Sequence, residues 1–568
     1  LEADSRTIPD PSTGLIRGES SFLDWRKQTY PTWMEPADIY GSLNLGTNAA
    51  CCRVLDVAGM MARELGEEDT FSRKAEDLRQ NINEKMWLDD KGYFGQYIYG
   101  RYFRSLSPRA EALGEAFTVL FDIADEERKI KVVQNTPVTP YGITCIYPQI
   151  PGIPPYHNNG IWPFVQAFWT MANAEVKQVD AVQAGLASII RPAALFLTNK
   201  ENFVAETGDF AGTEINSDRQ LWSVAAMLAV LHRVLIGINF TERHLEFNPV
   251  IPESFRNEYS LSGLKYRDGT YDIKVTGWGD EISVFKIDGT ESDDHFVPAT
   301  MTGSHTIEIV MNGTAKSEGY NSVSNYTAPE TPGLALNGTR LSWNHVKGAA
   351  KYSVYRNGLM ISSTTETAFQ TENPAESAIY QVLATDSAGV SSFLSNPVTL
   401  TGLTRTVIAE AEDFSPNTES RVAGFYGRGY VRFQLEESSK TTKAVRADQQ
   451  IAKNPGQTRS DTELNIKIIA SAGRYALRMR YANGTGPVNT DNNCAIRSLY
   501  VNGIYAAALV FPQRGKDEWS DWGEIFPEWI ELREGENNLT IRYESHNMNM
   551  DGEINEFLLD RIILEKFD

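Results

Sequence analysis

Through the first 237 or so positions, apolar residues recur every three or four places, the period of a helix that buries one side. Such stripes run over residues 47–65 (Leu55, Ala58, Ala62, Leu65), 68–87 (Phe71, Ala75, Leu78, Ile82) and 109–124 (Leu113, Phe117, Leu120, Ala124). They continue over 160–174 (Ile161, Val165, Phe168, Ala172), 177–197 (Val182, Leu186, Ile189, Ala193) and 216–237 (Leu221, Val224, Leu228, Leu231, Leu235). Short pieces around 25–33 and 126–134 bring the expectation to seven or eight helices. After Gly237 the period falls to two. Alternating runs at 244–247, 271–275, 282–285 and 306–310, split by Gly and Asp turns, predict a compact β-sandwich over 241–320.

A polar stretch, 321–333, then leads to a unit spanning 328–401. Its runs Leu341-Ser342-Trp343, Tyr352-Ser353-Val354-Tyr355 and Tyr380-Gln381-Val382-Leu383-Ala384, with the turn Arg356-Asn357-Gly358, predict a seven-stranded sandwich around one core Trp. A last β-rich unit covers 404–568. A length of 568 residues suits three or four domains. The expected fold class is thus multidomain, with a helical unit over 1–240 followed by all-β units.

Composition narrows the partners. A formal net charge of −21, spread without long acidic runs, disfavours non-specific binding of nucleic acid and serves solubility. No stretch has the roughly 18 consecutive apolar residues of a membrane span, so no span is expected. Cys51, Cys52, Cys145 and Cys494 show neither metal-binding spacing nor a disulfide framework, and are read as free thiols.

Two separated segments carry acids beside aromatic residues: Gly18-Glu19-Ser20-Ser21-Phe22-Leu23-Asp24-Trp25 and Ala205-Glu206-Thr207-Gly208-Asp209. Breaking a glycosidic bond needs one carboxylic acid to protonate the leaving oxygen and one carboxylate to activate water or attack carbon. Aromatic rings suit the apolar faces of sugars. Between the two lies Tyr156-His157-Asn158-Asn159-Gly160-Ile161-Trp162-Pro163-Phe164, a polar and aromatic loop that opens a helix.

Taken together, Glu-Ser-x-x-x-Asp-Trp (19–25), His-Asn-x-Gly-x-Trp-Pro (157–163) and the stretch from Glu206 to Gln220-Leu221-Trp222-Ser223 resemble the six-hairpin, (α/α)6-toroid glycoside hydrolases. That clan contains trehalases, processing α-glucosidases and glycogen-debranching glucosidases. The resemblance covers residues 15 to 320 or so and implies a secreted, inverting, exo-acting hydrolase of α-linked glycans that needs no cofactor for catalysis. Asp24 matches the clan's general acid, with Trp25 as its low-dielectric wall, although an Asp capping the short helix that follows explains it too. Glu206 matches the general base, with Glu214 as competitor. Trp25, Tyr30, Trp33, Tyr156, His157, Asn159 and Trp162 are expected around the sugar, while Asn48 in Thr47-Asn48-Ala49 fits either a substrate contact or a helix cap. A complete toroid has twelve helices and carries its acid well inside the sequence. The expectation is therefore a barrel incomplete at its N-terminus, with the missing portion supplied in cis or in trans, or else a naturally shorter toroid. Residues 241–320 resemble the β-sheet cap that follows the barrel in several clan members, and residues 328–401 resemble a fibronectin type III domain.

The last unit resembles the jelly-roll carbohydrate-binding modules of families six and thirty-five, through Val407-Ile408-Ala409-Glu410-Ala411-Glu412-Asp413-Phe414, the run Gly473–Tyr481, Trp519-Ser520-Asp521-Trp522 and the closing Leu558-Leu559-Asp560-Arg561. By that resemblance a structural calcium sits on the first and last strands, with Glu410, Glu412 and Asp560 as ligands; solvated edge acids are the alternative. Tyr426, Tyr430, Trp519 and the loop 547–555 are the expected sugar contacts, with Trp522 in the core. The implied partner is an oligo- or polysaccharide and the implied location extracytoplasmic (periplasmic, cell-surface or secreted), in a bacterial style of domain assembly. Two other readings stay open: a non-catalytic glycan-binding protein on a degenerate barrel, and an inverting disaccharide phosphorylase, for which no basic or Gly/Ser-rich phosphate-binding set is visible.

Overall fold

The computed structural model describes residues 4–20, 22–23, 25–316, 318–402, 406–414, 431–436, 450–452, 463–486, 493–549 and 555–567. Two short helices, α1 (Asp4–Thr7) and α2 (Pro36–Tyr40), precede seven longer ones. These are α3 (Leu45–Leu65), α4 (Ser72–Lys85), α5 (Ala112–Leu120), α6 (Glu126–Asn135), α7 (Pro163–Glu175), α8 (Val179–Phe196) and α9 (Leu221–Val230). Each lies on a predicted helical stripe. Local chemistry sets their ends: α3 stops where Gly66 takes a left-handed φ of 69°, α6 starts where the Asp125 side chain accepts from the Arg128 amide, and α7 begins with a proline whose missing N–H costs nothing there.

The packing alternates between two layers. Helices α3, α5, α7 and α9 pack side by side in that order, while α4 packs on α3, α6 on α5 and α8 on α7. The result is an arc of helical hairpins with one continuous core, including Leu45, Ala49, Leu78, Ile82, Ala116, Val132, Val165 and Trp169. Two predicted stripes are corrected by it. Leu65 on α3 is exposed, and the buried side of that helix is instead Leu45, Ala49, Cys52, Gly59 and Ala62. On α9, Leu221 and Leu228 face outward while Ser223, Ala226 and Val230 are buried. That helix then widens into a π-helical turn, Leu231–Leu235, which moves Val234 and Leu235 into the core. Helix α8 has the length and apolarity of a membrane span, but Val182, Leu186 and Ile189 are buried against the cap strands as core residues.

The cap follows with a five-stranded sheet over 257–311, in which Gly269–Gly277 runs antiparallel to Asn257–Tyr266 and parallel to Gly303–Met311. Its Tyr271, Ile273, Val275, Phe285, Ile307 and Ile309 share a core with α8 and α9, so the cap and helical unit are fused through apolar packing. Residues 334–400 form three strands facing four, with Trp343, Tyr352, Val354, Tyr380 and Val382 between them, as the seven-stranded expectation required. The last unit is two facing sheets in which the first strand, Val407–Glu410, pairs with the final one, Phe557–Lys566. All four cysteines are free thiols.

The β units do not hang loose. Phe393 and Leu394 of the seven-stranded unit enter the helical core, where the Trp33 indole N–H donates to the Leu394 carbonyl at 2.8 Å. Arg17 of the helical unit reaches Glu528 of the last unit at 2.5 and 3.1 Å, with both side chains buried.

Candidate functional site

The segments that carry chemistry converge at one end of the inner helices. Strand Gly160–Ile161, just before α7, pairs with Phe203–Val204, and the Ala205 amide donates to the Asn159 carbonyl at 3.0 Å. This puts the loop around residue 206 beside the loop around 156–159. Segment 18–25 is seated on the loop around 156–159 and the start of α7. Phe22 wedges its ring among His157, Trp162, Phe164 and Trp222, with centroids 4.6 to 6.0 Å apart, and Trp25 meets the edge of Tyr156 at 5.2 Å. Asp24, between these two anchored rings, lies outside the described residues.

Three glutamates compete for the second carboxylate role. Glu206 is exposed on its turn and accepts from the Asn325 amide at 3.5 Å. Asn325 is part of an amide cluster, since it also donates to Asn159 at 2.7 Å and accepts from Gln149 at 3.0 Å. Glu214 sits elsewhere. Its two oxygens accept from Lys27 at 2.8 Å and Gln28 at 3.1 Å, both in the 3-10 turn Arg26–Gln28 that directly follows Asp24 and Trp25. The Lys27 ammonium also lies 4.2 Å from the centre of the Trp25 ring. Glu201 was not singled out from sequence. It is buried, accepts from the Tyr156 hydroxyl at 3.0 Å, and keeps its other oxygen buried without a hydrogen-bond partner.

A further acid lies behind the loop. Glu111, at the start of α5, accepts from the Ser20 hydroxyl at 3.3 Å, and burial raises its pKa to about 7 against backbone hydrogen bonds from Gly46 and Gly114 that lower it. Glu115, one turn on, is pushed up as well, chiefly by burial. Both sit on an otherwise apolar stripe, a signal the sequence offered at residues 111–119 but that helical periodicity alone does not flag.

The expected sugar contacts divide. Trp25, Tyr156 and Asn159 are partly open beside the loop. Tyr30, Asn48, His157 and Trp162 are corrected: they are 2, 0, 1 and 3% exposed and are occupied in holding the loops. Tyr30 donates to Asn44, and Asn48 both accepts from and donates to the Ile16 backbone. The Trp162 indole N–H donates to the Tyr156 carbonyl at 3.0 Å. His157 is enclosed by rings, and burial lowers its pKa to about 4, so it stays neutral. Trp33 is spent on the contact with Leu394.

The inner face of the arc is apolar. Phe22, Phe164, Phe168, Met171, Trp222 and Ala225 line an open groove of about 430 Å³, and Trp222 is 50% exposed.

In the last unit, Asp560 is fully buried and its Oδ2 accepts from Arg480 at 2.6 Å and from Arg561 at 2.9 Å, while Oδ1 has no hydrogen-bond partner. Glu410 Oε2 is likewise buried and unpartnered, with Arg561 3.9 Å from Oε1. Two orphaned carboxylate oxygens suit a hard cation, although the guanidinium groups already offset the charge of Asp560. The Glu412 side chain lies outside the described residues, as do Tyr426 and Tyr430. Among the described residues no group of three or more His, Cys, Asp or Glu forms a metal site. Trp519 and Trp522 pack together against Ala482 and Leu558, with Arg480 5.0 Å above the Trp522 ring, and both indoles stay partly exposed.

No family model matches this chain. No curated protein matches it either. Solved structures resemble parts of it. The cycloisomaltooligosaccharide glucanotransferase of a Paenibacillus species is 20% identical over 28% of this chain and 18% of that chain, with a TM-score of 0.20. A family 35 carbohydrate-binding module from Clostridium thermocellum is 18% identical over 28% of this chain and 98% of that one, with a TM-score of 0.19. The isomalto-dextranase of Arthrobacter globiformis is 16% identical over 39% of this chain and 30% of that one, with a TM-score of 0.20. The chain thus spans less than a third of either enzyme. These partial likenesses are to carbohydrate-active enzymes and to a sugar-binding module.

Proposed function

We propose that this chain serves the hydrolysis of glycosidic bonds in oligo- or polysaccharides, with inversion, and that its arc of hairpins is part of a six-hairpin toroid. The observation that carries the reading is the seating of segment 18–25 and the turn after it on the 156–164 loop, through Phe22 and Trp25, and on Glu214, through Lys27 and Gln28. Asp24 is the general acid that protonates the leaving oxygen. Of the three glutamates, Glu214 is the best supported as base, because Lys27 and Gln28 hold it to the turn that follows Asp24. Glu206 then belongs with Asn159 and Asn325, which offer amides suited to sugar hydroxyls. Inversion needs a water between base and anomeric carbon and thus carboxyl groups about 6.5–9.5 Å apart. Trp25 and Tyr156 offer the ring faces on which a sugar stacks.

The last unit, in this reading, is a carbohydrate-binding module of jelly-roll type that carries a structural calcium on Glu410, Glu412 and Asp560. The seven-stranded unit is a fibronectin type III-like spacer. The open apolar groove favours a second reading, a glycan-binding protein without turnover, since an arc that leaves Trp222 half-exposed encloses a substrate on one side only.

The test is hydrolysis of aryl glycosides and of α-linked glycans, with the product anomer read by NMR. Asp24→Asn and Glu214→Gln are expected to lower turnover at least about 10²-fold, the scale of general acid–base catalysis, with the melting temperature unchanged. Loss in Glu206→Gln with full activity in Glu214→Gln returns the base to Glu206. Binding of glycans with no turnover by the unmodified protein establishes the second reading.

A further inference from the structure

Among the described arginines, Arg109 is buried with none of its guanidinium nitrogens hydrogen-bonded. It is 1% exposed, and its Nε, Nη1 and Nη2 all lack a hydrogen-bond partner. No carboxylate pairs with it among the described residues. Neither Glu111 nor Glu115, on the same stretch of chain, forms an ion pair with it, and burial lowers its pKa. One face of the guanidinium is covered by the Phe393 ring, 3.7 Å from its centre.

The polar groups close to it in the chain are buried as well. The antiparallel pairing of Ile98 with Leu106 and of Tyr99 with Ser105 continues through the Ser107 amide to the Tyr97 carbonyl, at 2.8 Å. Alternation along the strand then places Ser107 and Arg109 on the side of Tyr97 and Tyr99. The Ser107 hydroxyl and both ends of the Gln96 side-chain amide are buried and unpartnered too, and the Gln96 backbone amide donates to the Arg109 carbonyl at 2.8 Å. A buried guanidinium without a counter-charge costs several kcal/mol, and water satisfies its hydrogen bonds without neutralising it. Arginine cannot relieve that cost by giving up its proton.

We propose that Arg109 holds a small inorganic anion of the chloride class at the junction where Phe393 docks on the helical unit. Complete burial restricts the ligand to a monatomic or similarly compact ion, captured as the two units close on each other. The anion links the seven-stranded unit to the helical one, because the same guanidinium carries the anion on its edge and Phe393 on its face. This inference stands independently of the proposed hydrolysis.

The experiment uses the full chain and halide salts. Thermal unfolding is followed while gluconate, too large for the site, is replaced by chloride or bromide at constant ionic strength, and crystals grown in bromide are examined for anomalous scattering. The expected results are a saturable rise of several degrees in the unfolding midpoint and a bromide peak within hydrogen-bonding distance of Arg109. Arg109→Met is expected to abolish both. Should that variant fail to fold, the unmodified protein still decides: ordered water at Arg109 without a bromide peak, or a midpoint equally insensitive to chloride and gluconate, overturns the proposal.

Discussion

At the scale of single residues, the buried acids behind the loop give the protein a pH dependence of defined sign. The pKa of Glu111 is raised from 4.5 to about 7 by burial, so the folded state prefers the protonated carboxyl. Below pH 4.5 folded and unfolded chains are both protonated at this position and no penalty arises. Between 4.5 and 7 the unfolded chain ionises first, and the folded state loses stability by a total on the order of 3 kcal/mol. Glu115 acts in the same direction. Glu111→Gln, which cannot ionise, is therefore expected to gain on the unmodified protein as pH rises through that window. Urea unfolding of both proteins from pH 4 to 8 measures it; a difference that stays flat with pH would remove Glu111 as the source. Glu111, between Ala110 and Ala112, and Glu201, between Lys200 and Asn202, were not legible from sequence as chemistry, because an isolated Glu reads as surface until its burial is known.

At the scale of elements, close approach and strand pairing decide what can change. A Cβ on Gly185 of α8 would lie 2.2 Å from the Thr170 hydroxyl of α7, so these helices pack at a distance only glycine permits. Gly185→Ala is expected to cost about 1–3 kcal/mol through overpacking, read as an earlier denaturation midpoint with an unchanged slope. The pairing of Val407–Glu410 with Phe557–Lys566 brings Glu410 opposite Arg561, the residue after Asp560. If the ion binds there, adding chelator lowers the melting temperature of the last unit, and calcium restores it. An unchanged calorimetric trace in chelator would mean that Arg480 and Arg561 do the neutralising alone.

At the scale of the whole molecule, the units are joined by buried polar contacts as well as by apolar ones. Arg17 is clasped between Asp10 at 3.0 Å and Glu528 at 2.5 Å, with all three side chains nearly inaccessible. Removing Arg17 strands the Glu528 carboxylate in a dry interface, while Asp10 keeps its pair with Arg104; stranding a buried charge typically costs about 3–5 kcal/mol. Arg17→Met is accordingly expected to loosen the last unit from the helical one, seen as two separated calorimetric transitions and faster proteolysis between residues 400 and 410. A single transition at the original temperature would show that Phe526 and Trp529 hold the interface without it.

The sequence by itself determined the kind and order of the elements, because periods of 3.6 and 2 are local properties that each segment carries alone. It also marked the segments around Asp24, His157 and Glu206, since acids and aromatic rings at short spacing are visible without a fold. Tertiary structure decided which of those residues are free to act. His157, Trp162, Tyr30 and Asn48 have the right chemistry for a sugar pocket, yet they are consumed in fixing the loops, as burial depends on neighbours more than a hundred positions away in the chain. It also decided that Glu214 meets Gln28 across 186 positions, and that a π turn after Val230 rotates the end of α9 off its helical stripe. Neither outcome is encoded in local periodicity; both follow from how the loops and inner helices pack.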